Sequence, residues 1–342
     1  MNLPNTQSEF LNVKVDRRRA IKLAGVAGIG LTLAVLGIGL GNAKHVSAAT
    51  EARNIISFRT PTPLAKWGKF GSAPGQFSSP TKLAVDATGN AYVSDAFNHR
   101  VQKFSPKGRL LNRWGKLGRS PGTFNGPGGI TVDNLGDIYV ADMGNQRIQK
   151  FSSDGKFLAE WSTVLKENGG IGAPTGLAVD ADNNVYVSDI VSHQVQKYDS
   201  HGRLTAVWGR LGSGREEFNG PQDLAVDASG RIYVADSGNQ RVQILSADGR
   251  FIKEWGRFGY GNGQFSSPKG IAVDASGAIW VSDTHNHRIQ KFDGEGKFLG
   301  QSGDLGNTFG RFNGPNGMAV DNAGNMYLAD AGNHRVQSFQ LL

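Results

Sequence analysis

Aspartates are the residues of this 342-residue chain most regularly spaced for chemistry. Asp86 is followed nine residues on by Asp95, and the pair returns as Asp133/Asp142, Asp180/Asp189, Asp227/Asp236, Asp274/Asp283 and Asp321/Asp330, each step 47 residues long. Paired carboxylates can exchange protons or hold a hard cation. A pair that recurs six times without insertion, however, serves every unit alike. The second Asp of each pair ends an apolar run and precedes a turn, where a carboxylate accepts backbone N–H bonds. Arg100, Arg147, Arg241, Arg288 and Arg335 stand five residues further on as charge partners. Chemistry confined to one place must come from positions at which the units differ.

Lys82 and Asp223 are such positions, since the other four units carry Gly129, Gly176, Gly270 and Gly317 there. They lie 141 residues apart, three units, which in a closed ring of six sets an amine opposite a carboxylate across the axis. The residues just before this register are Thr81, Gly128, Thr175, Gln222, Lys269 and Asn316, a polar mouth for a central channel. An amine and a carboxylate in that mouth suit a lyase or hydrolase, with a divalent cation such as Ca²⁺ on oxygen ligands as its cofactor.

His99, His193, His287 and His334 also share a register, with Gln146 and Gln240 in the two remaining places. They fall in turns of different units, so three of them are not expected within about 2.1 Å of one ion, and no metal is assigned. The third unit departs most, reading DIVSHQVQ where the others follow DxxNxR, and its incoming loop lacks both the WG pair and the Phe. Phe97, Met143, Ile190 and Val191 fill neighbouring turns of the first three units, where later units carry mainly Ser, Gly, Thr or Ala. With Lys69, Lys116 and His193 on the same side, they form an apolar strip with a basic rim, a docking site for a protein or small ligand.

The elements that must position these groups follow from the repeat. A fixed period of about 20–50 residues marks a stacked or circular repeat architecture. Within the unit 268–303, GIAVD, AIWVSD, RIQKFD and KFLGQ are short β-rich runs separated by turn residues, hence four antiparallel strands. The turn after the first strand needs positive φ, and its residues are Gly89, Gly136, Asn183, Gly230, Gly277 and Gly324, Asn being the non-Gly residue that enters this region readily. The first strand always sets a small residue between two larger ones, LAV, ITV, IAV or MAV, as crowding near an axis requires. The expected fold is all-β, a six-bladed propeller of four-stranded antiparallel blades spanning 61–342. The last unit ends where its fourth strand should begin, while a strand ending at Trp67 lies 47 residues before Trp114. That N-terminal strand is expected to complete the last blade as a 3+1 clasp, leaving no open edge. In the loops between blades, Phe77, Phe124, Ile171, Phe218, Phe265 and Phe312 recur as anchors wedged in the core.

Asn98-His99-Arg100, Asn286-His287-Arg288 and Asn333-His334-Arg335, with the GIAVD and YVAD-type strands before them, make the unit resemble an NHL repeat over about four-fifths of the chain. The resemblance implies a six-bladed propeller. For function it implies a range, since such propellers are similar to scaffolds, extracellular sensor domains, RNA binders and a few lyases. Amidating lyases of this resemblance place zinc-binding histidines in the channel, and the inner strands here offer no imidazole.

Residues 1–49 read differently. Asp16-Arg17-Arg18-Arg19-Ala20-Ile21-Lys22 leads into an uncharged apolar run from 23 to 40 and then small residues to Ala49, the zones of an export signal resembling the twin-arginine type. Cleavage after Ala48 or Ala49 is expected, with retention of 23–40 as a membrane anchor the alternative, and 50–60 a linker. Beyond residue 49 remain 31 basic and 27 acidic residues, a net of +4 that does not suit a nucleic-acid binder. With no cysteine, disulfides and thiolate metal sites are excluded. The chain reads as an exported, monomeric, non-catalytic binding or scaffolding module of the periplasm or another extracytoplasmic compartment, with no cofactor expected. Replacing Arg17 and Arg18 by Lys is expected to leave the protein in the cytoplasm with its fold intact, and equal recovery of variant and parent outside the cytoplasm would overturn the export reading.

Overall fold

A computed structural model describes residues 58–162 and 172–341. The expected export signal, most of the expected linker and Ile171 lie outside the described residues. The chain forms six four-stranded antiparallel sheets, five of them with their strands in sequence order from the axis outward. In the first blade these are Pro80–Val85, Ala91–Asp95, Arg100–Phe104 and Leu110–Trp114. The sixth consists of Pro315–Val320, Asn325–Asp330 and Arg335–Gln340 with the N-terminal strand Thr62–Trp67 at its outer edge. Lys66 pairs with Gln337 and Trp67 with Val336, so the ring closes by the 3+1 clasp that the 47-residue register implies.

The core lies between blades. Each apolar cluster joins one sheet to the next, as where Tyr233, Val242 and Ile244 of the fourth blade pack on Phe265, Ile271 and Phe292 of the fifth. The seam is built the same way, with Phe77, Leu83 and Phe104 against Tyr327 and Val336. Of the expected loop anchors, Phe77, Phe124, Phe218, Phe265 and Phe312 are fully buried. The first-hairpin turns have positive φ throughout, Asn183 included at 62°.

Successive turns of a meander alternate between the two faces of the ring. The turn between second and third strands therefore shares a face with the long loop entering each inner strand, and backbone bonds such as Gly144 N–H to Asn125 O hold the two together. This is the loop face. Because the clasp supplies the last blade's outer strand, a chain beginning at residue 68 is expected to aggregate or to melt well below one beginning at 50. Identical melting curves for the two would show that the seam does not depend on the strand Thr62–Trp67.

Candidate functional site

Each second-strand aspartate is fully buried and gathers its whole neighbourhood. Asp95 Oδ1 accepts the Ser78 N–H at 2.7 Å, while Oδ2 accepts Asn98 Nδ2 and Arg100 Nε, each at 2.8 Å. The far end of Arg100 donates to the carbonyls of Ser72, Ala73 and Gln76 in the incoming loop. Gln102 completes the frame by donating to Gln76 O and accepting the Gly75 N–H. The same Asp–Arg contact recurs as Asp142–Arg147, Asp236–Arg241, Asp283–Arg288 and Asp330–Arg335, at 2.7–2.8 Å. These carboxylates fasten loops to blades. In the third blade Ser192 and Gln194 replace the Asn and Arg, and Asp189 instead accepts four backbone N–H groups, from Gly172, Ala173, Val191 and Ser192.

The registered histidines are tied in as well. Nδ1 of His99, His193 and His287 accepts the N–H of Gly126, Gly220 and Gly314, each at 3.0 Å, and His334 does the same for Ser79 at 3.2 Å. Every bond runs from one blade to the loop entering the next, so these imidazoles are joints of the ring. Among the described residues no group of three or more His, Cys, Asp or Glu could hold a metal ion.

At the axis, Lys82 and Asp223 meet. Nζ lies 2.8 Å from Oδ2, and both side chains are less than a tenth exposed. Lys82 Nζ also donates to Lys269 O, and Asp223 Oδ2 accepts the Ile271 N–H at 3.3 Å. Each residue sits at a register shift in its inner strand, the kind of bulge that re-aims a side chain. The four glycines of this register admit the approach of neighbouring backbones. A β-carbon on Gly176 would stand 2.6 Å from Asp223 Cα, and one on Gly317 2.7 Å from Lys82 Cα. Beneath the pair, Leu83, Ile130, Leu177, Leu224, Ile271 and Met318 ring a cavity of only about 40 Å³. Burial pushes the Lys82 amine below its ordinary pKa and the Asp223 carboxyl above its own, each opposed by the charge of the other. Of the other mouth positions, Thr81 and Thr175 donate to Pro127 O and Pro221 O of the following blade, and Gln222, Lys269 and Asn316 are half-buried.

On the loop face Phe97 is 72% and Val191 63% exposed, while Met143, Ile190 and His193 are half-buried and Lys69 and Lys116 exposed. A feature unforeseen from the sequence surrounds them. Phe70, Leu117, Leu211, Phe258 and Leu305, each the third residue after the end of one of five outer strands, all project into solvent with exposures of 59–68%. Their backbones pair with those of Phe77, Phe124, Phe218, Phe265 and Phe312, so in each loop one apolar residue is core and the one seven positions earlier is a tip. The signal was present in the repeated WGKF, WGKL, WGRL, WGRF and SGDL strings. The Phe70 ring also lies tilted against His334, 4.9 Å between ring centres, beside a groove of about 520 Å³ at the seam.

Fold and register together define a closed six-bladed propeller of near-identical blades. The NHL repeat model matches 77–104, 124–151, 173–198, 218–245, 265–292 and 312–339, and the chain is an NHL-repeat propeller. Over 44 residues it is 46% identical to the B-box type zinc finger protein ncl-1 of Caenorhabditis elegans and to Protein brain tumor of Drosophila melanogaster. That stretch is 13% of this chain but only 5% and 4% of those proteins. Among solved structures, it resembles a Bacteroides thetaiotaomicron protein of unknown function (TM-score 0.60, 17% identity, 81% of this chain and 74% of the other). A gluconolactonase of Xanthomonas campestris (0.58, 17%, 83% and 98%) and virginiamycin B lyase of Staphylococcus aureus (0.54, 14%, 81% and 95%) are also similar. At such identities the likeness is one of fold.

Removing one partner of a buried ion pair strands the other, at a cost of about 3–5 kcal/mol, whereas replacing both by apolar groups restores most of it. Lys82→Met and Asp223→Leu are each expected to lower stability by about that amount, and the double variant to regain most of the loss. Denaturant unfolding checks this, and singles that melt like the parent would show the axis to be open to water.

Proposed function

We propose that this chain is an exported binding module, non-catalytic, whose working surface is the loop face. The observation that carries this reading is the distribution of apolar side chains. Of fourteen large apolar residues left exposed among the described ones, eight lie on the loop face, five on outer strands, and one, Leu135, on the opposite face. Exposed apolar groups gathered on one face with polar surroundings mark interaction surfaces. Phe97, Met143, Ile190 and Val191, with His193, Lys69 and Lys116, are the candidate contacts for a protein or small ligand.

The alternative is a lyase or hydrolase at the channel mouth, dependent on a divalent cation, with Lys82 and Asp223 as its working groups. It draws on the likeness of fold to virginiamycin B lyase and the gluconolactonase. Against it stand the contact between the two groups and the small volume beneath them. A substrate would have to break the pair to reach either group.

The absence of native cysteine makes accessibility a clean readout. Single cysteines placed at Phe97 and at Leu135 are expected to react equally fast with a maleimide in the purified protein. In cells that export the chain, position 97 is expected to react several-fold more slowly and position 135 unchanged. Equal labelling of the two positions in cells would overturn the loop-face reading. Loss of protection in the Lys82→Met, Asp223→Leu double variant would favour the channel mouth.

A further inference from the structure

Resting on the reading of the loop face as the working surface, we propose that it seats on the surface of an anionic lipid bilayer. Three observations converge. The tips Phe70, Leu117, Leu211, Phe258 and Leu305 occupy one structural position in five loops spread around a ring, and each loop is pinned by its buried Asp–Arg contact. A protein contacting all of them would need a matching near-sixfold surface, whereas a bilayer is a plane and meets every tip at once. Phe97 and Tyr260, 72% and 74% exposed, add aromatic rings on the same face, and Tyr260 lies edge-on to Phe258 at 6.0 Å. The amphipathic ring of a Tyr favours the headgroup level of a membrane, and the apolar ring of a Phe the acyl boundary beneath it.

The second observation is charge. The residue before each tip is Lys69, Lys116, Arg210, Arg257 or Asp304, all exposed. Across the loop stretches 68–79, 115–126, 209–220, 256–267 and 303–314 there are seven Lys and Arg against three Asp and Glu. The third observation is the contrast with the other side. The first-hairpin turns 86–90, 133–137, 180–184, 227–231, 274–278 and 321–325 hold eight Asp against one Arg, and the third-to-fourth-strand turns are nearly balanced, six basic to five acidic. A ring with apolar tips beside cations on one face and carboxylates on the other is oriented by a negative surface. The apolar residues then enter the acyl boundary while Lys and Arg meet phosphate, the arrangement of interfacially bound proteins.

Since residues 23–40 are apolar enough to enter a bilayer themselves, binding of the whole chain decides nothing, and the position of a probe does. Single cysteines at Leu211, Phe258 and Leu135, carrying an environment-sensitive dye, are to be titrated with phosphatidylglycerol-containing vesicles and with neutral phosphatidylcholine vesicles. The dyes at 211 and 258 are expected to brighten and shift to the blue with the anionic vesicles, and the dye at 135 to remain as in water. Lys116→Glu with Arg257→Glu is expected to weaken the response by tenfold or more, at about fivefold per basic residue. Phe70→Ser with Leu305→Ser is expected to weaken it similarly without changing thermal melting. Equal response of all three dyes, no response, or a response to single-stranded RNA but not to vesicles overturns the proposal. If the vesicles give none while position 97 stays protected in cells, the loop face remains the working surface and its partner is not lipid.

Discussion

Five buried Asp–Arg contacts hold the loop face of this molecule in place. The loops between blades run some twelve residues with few backbone partners of their own, and such a loop does not by itself present one side chain outward and bury another. The carboxylate changes that. It lies at the end of the second strand, accepts an N–H from the loop on one oxygen and aligns Arg on the other, and the guanidinium then caps three loop carbonyls. Burying these charges is costly, and only their complete hydrogen bonding offsets it. The consequence is a set of loops whose apolar tips keep nearly the same exposure from blade to blade.

The axis obeys a different constraint. Six copies of one strand crowd around a line, so the innermost register admits glycine, where a β-carbon would fall within 3 Å of a neighbouring backbone. Two larger residues at that register must point into the remaining space, and an amine with a carboxylate fills it while each neutralises the other. The pair therefore reads most simply as the plug of a narrow ring. The same crowding leaves about 40 Å³ beneath it, room for little more than a water molecule or two.

Much of this was legible in the sequence, for reasons that lie in particular residues. The unbroken 47-residue spacing, the turn residues and the stray strand at Trp67 imply blade number, strand number and closure. The carboxylate–arginine pairing followed from a five-residue interval next to a turn. The width of the channel was not legible, because no residue type reports how closely six strands approach, so Lys82 and Asp223 were expected to face each other and were found in contact. Nor were the tips. Phe70 and Phe77 are both aromatic and lie in the same loop, and their residue types do not say that one is exposed and the other buried. The histidines shared a register, but their role as interblade acceptors depends on a left-handed backbone, φ 52–57°, that His is not obliged to adopt.

The central claim is that buried carboxylates, not the loops' own turns, hold the loop face in shape. Amide hydrogen exchange of an Asp283→Ala variant tests this directly. The Ser266 N–H, bonded to Asp283 in the parent, and the stretch 257–267 around it are expected to lose protection by about tenfold or more, the worth of a charge-assisted hydrogen bond. The inner strand Pro268–Val273 and the other blades are expected to keep theirs. Unchanged protection of 257–267, or a loss spread evenly over all six blades, would contradict the account.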